Sequence, residues 1–183
     1  MRGPNPIHTP LGAVVTYEFD GPNGKPPVRI KWYEGPTDPE LPEGYDLPER
    51  ASGLHEHGGM VMVGEKGIIA HAGMRPGSPR LYPDARWDEF RANAELRPER
   101  TLLRVRGGII PNFLDAIVND TTPVSDFDYA ADLTEMILLG TLAIRTGAPI
   151  EYDADNMRIT NNPAADALLQ TEARSGWDVT RGA

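Results

Sequence analysis

Apolar and polar residues alternate at every second position in two short stretches near the beginning of the chain. Ala13 to Phe19 is the first stretch, and Val28 to Tyr33 repeats the alternation after the turn-rich segment DGPNGKPP. A period of two is typical of half-buried strands, because successive side chains of a strand point to opposite faces. The two stretches therefore predict an antiparallel hairpin. Its second strand places Val28, Ile30 and Trp32 on the inner face and Arg29, Lys31 and Tyr33 on the outer face.

A second hairpin is predicted from Met60 to Ala72, where the sequence GEKG supplies the turn between two apolar runs. A short strand follows near Arg80 to Tyr82, and the charged stretch after it indicates one short helix around Trp87 to Ala94. The segment Pro36 to Gly58, which precedes this hairpin, contains four prolines. Long loops in compact domains often cover a site or an interface, so this segment is a candidate lid or wrapping arm.

Two longer segments have the helical spacing of apolar residues. Ile109 to Val118 predicts a helix with one buried stripe. Ser125 to Arg145 predicts a longer helix, which begins with a Ser-x-x-Asp capping signature and ends where Gly147 can adopt a left-handed conformation. From Leu133 onward this helix is apolar nearly all round, so we expect it to be covered on more than one side.

The last part of the chain predicts two short strands and one short helix. The strands are expected at Ile150 to Tyr152 and Met157 to Thr160, and the helix from Asn162 to Leu169. The predicted fold is α+β, with an open, largely antiparallel β-sheet and helices packed on one face. We expect residues 1–12 to form a flexible tail and residues 13–183 to form a single domain.

The composition of the chain limits its expected partners and its expected location. The chain has a net charge of −9 and a pI of about 4.9, and its basic residues are scattered, so neither nucleic acid nor an anionic membrane surface is an expected partner. It contains no cysteine, which excludes disulfides, a thiolate nucleophile and cysteine-bound metal. No secretory signal or membrane-spanning run is recognisable, so a cytoplasmic location is the default expectation.

Several segments, in order, resemble one enzyme family. They are TYEFDGPNGKPPVRIKWYEG, GGMVMVGEKGIIAH, SPRLYP, SDFDYAADLTEMILLGTLAIRTGAPIEYDADNMRITNNPAAD and RSGW. Together they resemble the C-terminal domain of bacterial-type Gfo/Idh/MocA oxidoreductases, the family of glucose-fructose oxidoreductase and inositol dehydrogenase. In that family an N-terminal Rossmann domain holds NAD(P), and a lysine in a Glu-Lys-Pro motif carries the chemistry.

Neither of these two features is found in this sequence. No Gly-x-Gly-x-x-Gly fingerprint occurs, and the one Glu-Lys pair, Glu65-Lys66, is followed by Gly67 and is interpreted as a hairpin turn. The resemblance therefore implies the substrate-side and oligomerisation domain of an NAD(P)-dependent oxidoreductase acting on sugars or polyols, not catalytic alone. It also implies a missing or separately encoded Rossmann domain, and a homo-oligomer formed through the open sheet face.

A few residues are candidates for substrate contact. His55 and His57 can hydrogen-bond sugar hydroxyls, although a plain loop is the simpler interpretation of this pair. Arg80 can bind a substrate carboxylate or phosphate, or equally pair with an acid of the chain. Tyr33 belongs to an aromatic group, with Trp32 and Trp177, that is interpreted either as a platform for a sugar ring or as core.

Three acids, Asp128, Asp132 and Glu135, fall on one face of the long predicted helix and can mimic an acid/base pair. The simpler interpretation is that such a row is solvated or paired with arginines, and we expect Glu135 to form a structural ion pair with an arginine.

Two other functions remain open. The chain can be a stand-alone, non-catalytic module for sugar binding or assembly. It can also be a metal-assisted lyase or hydrolase using His55, His57 and a nearby acid, but two imidazoles without a third ligand are a weak signal. A hydrolase triad has little support, because no Gly-x-Ser-x-Gly elbow is present.

Overall fold

The computed structural model describes residues 10–37, 39–41, 58–73, 79–102, 104–170 and 173–177. Within these residues the chain forms seven strands and four α-helices. The strands are β1 (Ala13–Phe19), β2 (Val28–Glu34), β3 (Gly59–Gly64), β4 (Gly67–Ala72), β5 (Arg80–Tyr82), β6 (Tyr152–Asp153) and β7 (Arg158–Ile159). The helices are α1 (Asp84–Ala92), α2 (Ile109–Asn119), α3 (Phe127–Thr146) and α4 (Pro163–Asp166).

The predicted α+β class and the antiparallel pairing are confirmed. The strands are distributed over three small sheets, β1-β2, β3-β4-β5 and β6-β7. The chain divides into two compact units, of which the first combines Met1–Gly35 with Ser125–Ala183 and the second is Pro36–Val124. The assignment of residues 13–183 to one domain stays a prediction. Most of the predicted tail and of the candidate lid lies outside the described residues.

In the first unit, the hairpin of β1 and β2 has the predicted faces but not the predicted burial. Its register pairs Val15 with Trp32 and Tyr17 with Ile30, so the apolar side chains share one face. Helix α3 packs against β1. Trp32 on β2 remains 47% exposed, and Val28 and Ile30 are exposed as well. The face is amphipathic as the alternation predicts, but only its β1 half contributes to the core.

Helix α3 begins one residue later than the capping signature predicts. The N-cap is Asp126, whose side chain accepts a hydrogen bond of 2.9 Å from the backbone N–H of Tyr129. The helix ends at Gly147, which has the expected left-handed conformation with φ of 64°. Leu133, Ile137 and Leu138 are exposed, whereas Gly140 meets Tyr17 of β1 and Leu142 meets Ile159 of β7. The helix is therefore covered on more than one side only in its C-terminal part.

The main core of the first unit lies beneath the C-terminal part of α3. Leu142 packs there with Ile159 of β7 and Ala165 of α4. The two strands and the last helix are each shorter than predicted. The side chain of Asn162 caps α4 by accepting from the N–H of Ala165 at 3.1 Å, as the Asn-Pro pair predicts.

The second unit is built on the β3-β4-β5 sheet. Glu65 and Lys66 form the turn between β3 and β4, which confirms the hairpin interpretation of this pair. Ile68, Ala70 and Tyr82 are the buried core of the sheet. Helix α1 packs against β5 and begins earlier than the sequence predicts.

Helix α2 also belongs to the second unit and has the predicted bounds to within one residue. Its polar edge makes two side-chain hydrogen bonds. Asn112 accepts from the N–H of Val124, which follows the helix, at 3.0 Å, and Asn119 donates to the Asp115 carboxylate of the same helix at 2.9 Å. Ala116 is its buried residue. The apolar stripe is exposed, so the prediction of a buried stripe is wrong for the described part of the chain.

Candidate functional site

The predicted substrate contacts lie in different parts of the chain, and their role in substrate binding stays a prediction. His55 and His57 lie outside the described residues. Tyr33 lies in the first unit and Arg80 in the second. The described residues contain no group of three or more His, Asp or Glu side chains placed to hold a metal ion. None of the described helices is long and apolar enough to cross a membrane.

Arg80 is held in place by helix α1. Its guanidinium lies 5.3 Å from the centre of the Trp87 ring, and one of its nitrogens is 3.4 Å from the Asp84 carboxylate. Its register partner is Ala70, which places it on the face of the sheet that α1 covers. Of the two interpretations of Arg80, pairing with an acid of the chain is the one that the contacts favour. Its Nε atom is enclosed and has no hydrogen-bond partner in the structure.

The face opposite α1 carries several exposed apolar side chains. By register, Met62 pairs with Ile69, and Ile69 pairs with Leu81, so all three share this face. Met62 is 55% exposed, and Ile69 is exposed as well. We call this surface, formed by Met60, Met62, Ile69, His71 and Leu81, the open face of the second unit.

No sequence motif marks His71 as a candidate site residue. It lies opposite Met60 on the open face, and its Nδ1 atom is enclosed without a hydrogen-bond partner in the structure. Only the alternation of IIAHA indicates that the histidine shares a face with Ile69.

The row of acids on α3 behaves as the simpler interpretation expects, with one difference. Asp128 and Asp132 are exposed. Glu135 accepts a short hydrogen bond from the hydroxyl of Tyr152 on β6, so the expected arginine partner is wrong. Burial first, and then the hydrogen bond and negative charge of Glu135, raise the pKa of Tyr152 to about 12. This contact joins α3 to β6.

The aromatic residues of the first unit do not form a platform. Trp32 is on the inner face of β2, whereas Trp177 lies beneath the guanidinium of Arg174 at 4.9 Å. No stacked ring pair joins them among the described residues. Tyr33 is half-buried and lies on the outer face of β2, opposite Val14.

A shallow depression of ≈ 280 Å³ lies beside β7 and α4. Its polar wall is the pair of Arg158 and Asp166, in which Nε of the arginine donates to both carboxylate oxygens at 3.0 Å. The carboxylate also accepts from the N–H of Ile159 at 2.8 Å. These bonds lower the pKa of Asp166, with the arginine contributing most. Because Arg158 and Asp166 form hydrogen bonds with each other, the pair joins β7 to α4.

The N-terminus of α3 does not suit the pyrophosphate of NAD(P). A pyrophosphate requires a helix N-terminus with free N–H groups behind a glycine-rich turn. The longest helix, α3, begins with the Asp126 side chain on its N–H groups and Asp128 in its first turn. These two carboxylates would repel the phosphates.

No family model matches the chain, and no curated protein and no solved structure matches it either.

Proposed function

We propose that this chain is the substrate-side and oligomerisation part of an NAD(P)-dependent oxidoreductase acting on sugars or polyols, and that it is not catalytic alone. The resemblance of its segments to the C-terminal domain of Gfo/Idh/MocA oxidoreductases is the basis of the proposal. The hydride chemistry would come from the cofactor, bound by a Rossmann domain outside this chain. The residues of this chain supply protein surface and contribute no chemical step of their own.

The open face of the second unit is the observation that supports the oligomerisation role. An antiparallel sheet with a helix on one face needs only that face to be apolar, and its other face is normally polar when water covers it. Here Met60, Met62 and Ile69 are all exposed on the face that no described helix covers. Contiguous exposed apolar side chains of this kind mark contact surfaces. The proposal assigns this face to a second copy of the chain.

The activity is tested on the native protein from its source. We expect an intact mass well above 20.0 kDa, the mass of this chain, and sugar-dependent reduction of NAD(P)⁺ measured by absorbance. The chain produced by itself is expected to give no reduction with the same sugars. A native mass near 20.0 kDa with no such activity, alone or in its purified complexes, would contradict the proposal.

The contact surface is tested by a pair of matched variants. Met62 and Val63 are both 55% exposed but lie on opposite faces of β3. We expect Met62→Glu to weaken self-association at least about tenfold, because a charge would be buried in an apolar contact. Val63→Glu is expected to leave it unchanged. Equal effects of the two variants in sedimentation would show that the open face is not the contact.

A further inference from the structure

The turn between β1 and β2 contains the only Asn-Gly pair of the sequence, Asn23-Gly24. The two residues end a short 3-10 segment, Pro22–Gly24. Asn23 has the left-handed backbone conformation, with φ of 55° and ψ of 38°, which asparagine tolerates better than most residues. Both residues are exposed, so solvent reaches the pair.

The side-chain amide of Asn23 differs from the other described asparagine amides. Among the described residues it has no hydrogen-bond partner. The six other described asparagines each use the side chain in a hydrogen bond, and they are Asn93, Asn112, Asn119, Asn156, Asn161 and Asn162. The Asn23 amide is therefore free to rotate towards the peptide bond that follows it.

Gly24 provides the second reacting group, which is its backbone nitrogen. A glycine carries no side chain that would shield this nitrogen. A Cβ at position 24 would have no atom within 4 Å, so the space around the residue is open. Closure of a ring requires the Gly24 peptide to rotate towards the Asn23 side chain, and the open space and the freedom of glycine permit this rotation.

We propose that Asn23-Gly24 is a self-modification site, at which the chain loses ammonia and takes up water. The Gly24 nitrogen attacks Cγ of Asn23, and the new N–Cγ bond replaces the Cγ–Nδ2 bond. Nδ2 leaves as ammonia with the proton of the Gly24 N–H, which leaves a succinimide ring. Water then opens the ring at one of its two carbonyls. Opening at the main-chain carbonyl gives an isoaspartyl link, and opening at Cγ gives an ordinary aspartyl residue.

The modification changes both the charge and the main chain of the hairpin. Either product adds one negative charge to a chain whose net charge is −9. The isoaspartyl product also lengthens the main chain by one carbon atom in the turn next to the pair Phe19 and Val28. We expect hydrogen exchange to become faster at this end of the hairpin and to stay unchanged at the far end, where Ala13 pairs with Glu34. Unchanged exchange at both ends would reject this effect on the hairpin.

Peptide mapping of the intact chain tests the modification. After incubation in mildly alkaline buffer, we expect the peptide that contains Asn23 to show the mass of an amide-to-acid exchange, in an isoaspartyl and an aspartyl form. Asn93 is the control within the same digest. It is exposed as well, but its Oδ1 accepts from the N–H of Glu95 at 3.0 Å, and the residue after it is Ala94. Equal conversion at Asn93 and Asn23 would overturn the proposal.

A variant and a peptide make the result decisive. Asn23→Gly removes the reacting amide and keeps a residue that adopts the left-handed conformation. We expect isoelectric focusing to show a more acidic form in the aged wild type and to show none in this variant. A synthetic peptide of residues 20–25 is incubated in parallel. The proposal is rejected if the peptide converts and Asn23 of the folded chain does not, or if the acidic form persists in Asn23→Gly. An aspartyl product without an isoaspartyl one would reject the ring.

Discussion

The side chain of Tyr17 on β1 lies directly over Gly140 of α3, and its hydroxyl occupies the space that a Cβ at position 140 would need. The helix and the strand approach each other closely because the residue at this crossing has no side chain. Burial at this contact raises the pKa of Tyr17. A glycine inside a helix is otherwise unfavourable, so its presence in the middle of α3 has a packing reason.

Gly140→Ala is therefore expected to destabilise the protein, although alanine favours helices. Overpacking of this kind costs about 1–3 kcal/mol against a gain of about 1 kcal/mol in helix propensity, so we expect a net loss of up to about 2 kcal/mol. Urea denaturation measures the change. The double variant Gly140→Ala with Tyr17→Phe is the control, because removing the hydroxyl relieves part of the overlap. A stabilised Gly140→Ala, or a cycle without coupling, would contradict this contact.

The pair of Tyr152 and Glu135 predicts an unusual alkaline titration. The folded pKa of Tyr152, about 12, lies above its ordinary value of 10.0. The contact therefore contributes stability that is fully present below pH 10 and is lost as the pH rises towards about 12. Among the six tyrosines of the chain, absorbance of ionised tyrosine should show a late component near pH 12 for Tyr152, in addition to the raised pKa of Tyr17.

Two variants assign this late component. Tyr152→Phe should remove it. Glu135→Gln should lower the pKa of Tyr152 only in part, because burial is the larger cause and remains. If all tyrosines of the folded wild type ionise together, the Tyr152 contact is wrong.

The pair of Arg158 and Asp166 predicts that the contact between β7 and α4 weakens at low pH. The pKa of Asp166 is lowered, chiefly by its hydrogen bond from Arg158. The stability that it contributes is present above the ordinary carboxyl pKa and is lost as the pH falls through the lowered value. We expect Asp166→Asn to lower the melting temperature at neutral pH and to flatten its acid dependence. Asp132→Asn, at an exposed acid of α3, should change neither quantity.

Substitution of Arg80 distinguishes a structural role of this residue from a ligand-binding role. Its contacts with Trp87 and Asp84 predict that Arg80→Lys costs about 1–2 kcal/mol of folding free energy, because lysine cannot stack its head group in the same way. Arg100→Lys, at an exposed site, is the control. Thermal denaturation measures the loss. A fully stable Arg80→Lys variant that has lost sugar affinity, measured by calorimetry, would instead identify Arg80 as a ligand-binding residue.

Local patterns located most elements of the fold well. The bounds of β1 agree with the alternation from Ala13 to Phe19, and Gly147 ends α3 as a left-handed residue. The start of α3 differed by one residue, because Ser125 and Asp126 are both good caps and only the backbone decides which side chain reaches the free N–H groups. The predicted lengths of β6 and β7 exceed the observed lengths, because the ends of a short strand depend on its partner strand more than on its own residues.

The partners of the candidate residues cannot be predicted from the sequence, because the interactions are not local. The sequence by itself determined which side chains share a face, such as Ile30 with Trp32 and the apolar residues of α2, because strand and helix periods are properties of the local backbone. Only the tertiary structure decided which of these faces is covered, that Glu135 meets Tyr152 and not an arginine, and that Arg80 is held against Trp87. Those partners are far apart in the sequence or lie on other elements, and no local period specifies them.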